Sequence, residues 1–558
     1  TFSGTAANLS DAFAGGLAGT QTGAVTISDT SGTIAATTLT GITAQTDGAV
    51  GMASGGPTIE GTTAQVTAAL VTGGTKITAG AAKVKLTNNP TGAELAAINP
   101  KTSGSITLTD ATQNFTGTAT QLAAAFDGFA DNALSGAITI SAGTINTTEL
   151  KTISDATSGA ITLPSTNFTL NGSSSDLADA LSGNFTNYAG AVTLTDAAPS
   201  AANLAIINNK TAGTITLNDN SATFSGTTAD VAAAFSGGLV GTQDGAITLT
   251  DTTGTIAATT LTGITAQTSG AVGLASGGPT IQGTPSQLTA ALVGAGRITA
   301  GAAKVDFTSN PTAAELSAIN TKTSGTLTLH DDSQTFSGTA SDLSGAFSGG
   351  LLNTQTGAVT ISDTTGTIAA TTLSGIGEQT DGVVTAAASD ITISGTAAEV
   401  TAALVTTDKL VVASNAKVTI TDTGSVAATV LSAIGAKTGG VVTCSGALTI
   451  TGTPGEITDA LVTTNSLVVA SSGNVTFAGG NPTAAELAAI NTAAGGTITL
   501  AADNQTFSGT AANLSDAFAG GLANTQTGAV TISDTSGTIA ATTLSGIGEQ
   551  TDGVVTAA

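Results

Sequence analysis

The sequence predicts an α/β solenoid of about 20 stacked coils of roughly 28 residues, each with a short helix and one or two short parallel strands. A helix-start cassette, Thr-x-x-(Asp/Glu/Gln/Asn) followed by Leu, Val or Ile, returns throughout the chain, anchored from Leu9, Leu39, Val66 and Leu95 to Leu514 and Leu544. Its spacing often runs 30 then 27, so ten double repeats of about 57 residues describe the pattern better. Whole blocks are also copied: residues 1–42 recur as 506–547 with differences only at Gly19/Asn524 and Thr40/Ser545.

A short strand such as TFSG or TIEG stands directly before half of the helix caps. Phe2, Phe115, Phe224, Phe336 and Phe507 share this position, with Ile59 and Ile281 as substitutes, and are expected to stack inward as a column. The cap follows. In GTTAQV, Thr62 accepts from the N3 amide and Gln65 reaches back, a capping box. Thr91/Glu94, Thr118/Gln121, Ser173/Asp176, Thr227/Asp230, Thr312/Glu315, Thr339/Asp342, Thr396/Glu399 and Thr483/Glu486 repeat it. Pro285 and Pro454 stand at N1, where a missing N–H costs nothing. Behind the caps the apolar spacing is helical, as in Leu122, Ala125 and Phe126. Gly-Gly at 15–16, 237–238, 349–350 and 520–521 ends the longer helices.

Between helices lie alternating runs, VTISD (25–29), ITLTD (106–110 and 247–251), VTLTD (192–196), LTLHD (327–331) and VTITD (418–422), which read as half-buried strands. No hairpin partner exists within a coil, so each strand is expected to pair with its counterpart one coil away, in parallel ladders running the full length. No linker or change of composition divides the 558 residues, which read as one continuous array, 1–558.

Composition narrows the function. Net charge is −25 with 9% charged residues, a poor surface for nucleic acid, which needs clustered Lys and Arg. Cys444 is the single cysteine, so no disulfide staples the chain. No apolar run is long enough for a membrane span, and Thr1 already sits in a repeat, so no signal peptide is expected. His330, the single histidine, has no partner of its kind for a catalytic or metal site and reads as a surface residue. Ser is abundant, but no base is placed to activate it or Cys444. An enzyme is not expected, and no cofactor other than calcium is implied.

Asp is the one column with chemistry. Asp29, Asp196, Asp251, Asp363, Asp422 and Asp534 end the strand before the second helix of a pair; Asp110, Asp219 and Asp331 end the other strand. Two readings stay open. Asp turns the chain by bonding its own backbone, which explains why Asn88 takes the same place. Alternatively the rows form weak calcium sites with Thr hydroxyl and carbonyl oxygens. Outward Thr pairs (107/109, 193/195, 248/250, 419/421) raise ice binding, yet their ranks break at Gly51, Ala142, Pro164, Gly273 and His330.

Cassettes such as PTAAELAAIN and KTSGTLTLHD resemble the repeats of giant Thr/Ala/Gly-rich proteins of bacterial, marine cyanobacterial-type cell surfaces. The resemblance implies an extracellular or cell-surface location, export without a cleaved signal, and work in surface layers, adhesion, motility or filaments. The expected function is a structural rod or filament; the competing reading is a secreted binding module for ice, glycan or calcium. Both termini fall inside the repeat, so the expected partner is more of the same chain or a second copy joined end to end.

Overall fold

The computed structural model describes residues 1–557 except 16–18, 54–55, 73–75, 142, 165–167, 276–277, 295, 407–410, 445, 447 and 464–466. Gly16, Ala142 and the terminal Ala558 of the sequence reading therefore lie outside the described residues. Two compact units are present: residues 1–252 with 260–275, and residues 253–259 with 276–558.

Both units repeat one motif of a short strand, a short helix and another short strand. Twenty α-helices are described, from Ala6–Ala14 to Ala541–Glu549, one for each predicted anchor. The anchors are buried, with Leu544 the exception at 39% exposed. Most helices start as the cassette predicts: Thr62, Thr91, Thr118, Thr312, Thr396 and Thr483 form complete capping boxes. Asn146 with Glu149, Thr284 with Gln287 and Thr453 with Glu456 add three more. The cassette fails at Ala35, Ala369, Ala427 and Ala540, which precede helices without any side-chain cap. At the first three a strand runs straight into the helix. Gly238, Gly350 and Gly521 follow helices with φ of +77°, +94° and +84°, the conformation for which glycine is used there.

All described strand pairs are parallel, but the ladders are short. Among the described residues sheets hold three to five strands and none runs the length of the chain. The TFSG strands do not pair with their own counterparts either. In the first unit Phe2 pairs with Val25, Val25 with Val50 and Val50 with Ile77, steps of 23, 25 and 27 residues. Helix anchors advance by 30, 27 and 29 over Leu9, Leu39, Val66 and Leu95. Strand and helix therefore drift apart: Phe2 lies 7 residues before its anchor, Val25 14, Val50 16 and Ile77 18. The second unit repeats this, with Phe336, Val359, Val384 and Val411 lying 7, 14, 16 and 20 residues before their anchors. A ladder opens directly before one helix and, a few rungs on, lies well upstream of the helix of its own coil. New ladders must then open to cover the next helices.

The expected phenylalanine column follows the same logic. Phe115, Phe224, Phe336 and Phe507 are buried, and Phe2 is half-buried. Each opens a ladder whose next rung is Val or Ile, so the rings do not stack on one another. Instead each meets, edge to face, the Phe at its own helix end (Phe13, Phe126, Phe235, Phe347 and Phe518) at 5.1–5.4 Å. Such pairs add to the roughly 1.5–3 kcal/mol of burying each side chain.

Candidate functional site

A helix start leaves amide donors unpaired, and the cassette Thr satisfies only the one at N3. At seven helix starts the N1 amide is satisfied from the next repeat. Ala6 N–H donates to Asp29 Oδ2 at 2.6 Å, and Ala340, Ala397 and Ala511 donate to Asp363, Asp422 and Asp534 at the same distance. Ser174 and Thr228 donate both N–H and hydroxyl, to Asp196 and Asp251. Asn88 receives the same two bonds from Thr63. These six Asp residues are thus caps for the helix one coil earlier, not turns closed on their own backbone.

The chain itself contains a control. A main-chain bond to the Gly before the cap fixes the frame: Ser28 N to Gly4 O beside Asp29, Thr308 N to Gly283 O beside Ser309, and Ala478 N to Gly452 O beside Gly479. Opposite Ser309 the N1 residue is Pro285, and opposite Gly479 it is Pro454. Where proline removes the N–H, the acidic acceptor is missing too.

Asp110, Asp219 and Asp331 behave differently. Each accepts the N–H, at 2.8 Å, and the hydroxyl of the residue two positions on, Thr112, Ser221 or Ser333. This is the turn-forming role read from the sequence. The hydroxyl bond first and the amide bond second hold each carboxyl below the ordinary Asp value. Among the described residues no three His, Cys, Asp or Glu side chains gather. Calcium takes six to eight oxygens, usually several of them carboxylate, and each site here offers one carboxylate already accepting hydrogen bonds.

Two further joints escaped the sequence reading. Thr46, Thr157, Thr211, Thr268, Thr380 and Thr551 are buried; each hydroxyl donates to a main-chain oxygen 23 to 25 residues earlier and accepts the N–H of a Gly two residues on. The Gly is required by space: a Cβ on Gly270 would stand 2.0 Å from Gly245 O, and one on Gly48 2.1 Å from Gly23 O. Asn99, Asn208, Asn320 and Asn491 each donate from Nδ2 to a carbonyl near the end of the next helix, those of Ala124, Ala233, Gly345 and Asp516. The signal was there to see, since Thr-x-Gly follows helix after helix and Ala-Ile-Asn closes several.

The remaining candidates are isolated. His330 is exposed in a bend after the strand Leu327–Thr328. Cys444 is buried, and burial first, with the Asp422 charge second, pushes its thiol up to about 11. Thr rows are short: Thr26 and Thr78 flank Gly51, Thr248 meets Gly273, and Thr385 meets Val412. Pro164 and His330 lie outside the strands. The chain matches no protein-family model and no curated protein.

Proposed function

We propose that this is a structural repeat protein, a solenoid-type scaffold of a bacterial cell surface or extracellular filament, that spans distance and presents an acidic, hydroxyl-rich face. One observation carries the reading. Side chains that could do chemistry, six of the nine recurrent Asp, the helix-end Asn and the buried Thr, are directed at the neighbouring repeat, where they close helix ends and staple strand turns. A molecule whose polar groups serve the joints between repeats is suited to bearing load and resisting proteolysis. The resemblance of its cassettes to giant surface repeats supports the same reading, as does the block copying, which lengthens a scaffold without redesigning it. No described helix is long and apolar enough to cross a membrane.

Pulling single molecules by their ends tests the mechanical part. A stacked array releases one double repeat at a time, about 57 residues or roughly 200 Å of chain per step. A few large steps, each releasing well over a hundred residues, would count against it. Immunogold labelling of intact cells tests the location; label confined to the cytoplasm would overturn that part.

A further inference from the structure

Four ladders carry one rung that the ladder ending at the strand Ile106–Thr107 lacks. Ile215 N–H donates to Gly238 O, and Val240 N–H donates to Ile215 O. Leu327 is held likewise by Gly350 and Leu352, and Ile498 by Gly521 and Ala523. Ile161 is bonded by Asn184 and Thr186. In the first three, Leu239, Leu351 or Leu522 forms the bridge, and the strand residue beneath is fully buried.

Ile106 occupies the equivalent place and is half-buried, as is Leu108, whereas Leu217, Leu329 and Leu500 are 6–7% exposed. Val84 N–H donates to Ser105 O in register with Ile106, so the N–H and C=O of Ile106 face away from that ladder. Among the described residues neither has a partner there. They face a groove of about 770 Å³ lined by Pro100, Ile106, Leu108, Phe129, Ala130 and Leu134.

The sequence explains the opening. Three residues after the helix-end Phe, the other coils place Gly238, Gly350 or Gly521, each with positive φ, whose carbonyl takes the strand N–H. After Phe126 that residue is Phe129, which stays out of the left-handed region, the turn being made one residue earlier by Gly128 at +76°. The chain passes the strand edge without bridging it.

We propose that this groove is a peptide-binding site taking one extended, uncharged segment of the Gly-Gly-Leu type from a partner polypeptide by strand addition. The interface continues the one already built between coils: a partner carbonyl would accept from Ile106 N–H, an amide two residues on would donate to Ile106 C=O, and the intervening Leu side chain would cover Ile106 and Leu108.

The capped peptide Ser-Gly-Gly-Leu-Leu-Asn, the sequence of residues 348–353, is the probe, titrated to millimolar against the whole chain. Saturable binding of one peptide per chain is expected, with slowed amide exchange in the segment around Ile106. N-methylation of the second Leu nitrogen removes the donor and should weaken binding at least tenfold. Phe129→Gly should let the chain's own backbone bridge the edge, slowing exchange at Ile106 without peptide and weakening peptide binding at least tenfold. Absence of saturable binding, or equal binding of the N-methyl peptide, overturns the proposal. Unchanged exchange at Ile106 in Phe129→Gly would overturn the account of why the groove is open.

Discussion

Asp251 Oδ2 accepts both the main-chain N–H (2.7 Å) and the hydroxyl (2.6 Å) of Thr228, a helix N1 residue 23 positions earlier. One carboxylate thereby ties the start of one helix to the strand end of the following coil. Asp251→Ala should destabilise that helix start by about 1 kcal/mol, and Asp251→Asn much less, as Asn88 already serves Thr63. Amide exchange at the helix start checks this. Adding Thr228→Pro to Asp251→Ala should cost little further at this contact, because proline leaves no N–H to satisfy, as at Pro285 and Pro454.

Because the strand-end carboxylates already have partners, a calcium chelator should leave the melting curve unchanged. A ligand selective for the folded state would raise it by mass action. A melting temperature that falls with chelator and recovers with calcium would show that these residues also hold the ion.

Removing the Thr staple should be costly. Thr268→Val leaves Gly270 N–H without its acceptor and removes the bond to Gln243 O. A loss of about 2–4 kcal/mol is expected, with Thr268→Ser retaining most of it. Gly270→Ala forces a Cβ against Gly245 O and should cost about 3 kcal/mol or more. Denaturant melts followed by exchange in the affected coils measure both.

Asp110, Asp219 and Asp331 have carboxyls held below the ordinary value in the folded chain. Their contribution is therefore present above the unfolded value of 3.8 and is lost as pH falls through the lower folded value. Carboxyl titration by NMR should give midpoints below 3.8 at all three, rising toward it in Thr112→Ala, Ser221→Ala and Ser333→Ala.

Cys444, with its thiol near 11, should resist thiol reagents at pH 8, where about one molecule in a thousand carries thiolate. Denaturation should expose it to full reaction. Rapid labelling of the native chain would show that the strand Val442–Cys444 opens.

The helices were legible because their signals are local: a Thr cap, an N3 partner and apolar spacing lie within one stretch of chain, and each anchor marks a real helix. The exceptions are at Ala35, Ala369, Ala427 and Ala540, where no side chain caps the helix and the apolar anchor alone marks it in the sequence. The strand runs were legible too, through alternation in segments such as VTISD.

The identity and order of the elements can be read from the chain alone, because capping and alternation act between residues a few positions apart. Tertiary structure alone decided which strand meets which. Paired rungs such as Phe2 and Val25 are 23 residues apart while helix anchors are near 28, and that mismatch cuts the ladders short. It also decided that Asp29 serves Ala6 rather than its own turn, and that Ile106 is left open where Phe129 replaces glycine. A hydrogen bond needs its partner within about 3 Å. The composition of one coil cannot say which residue of the next will stand there.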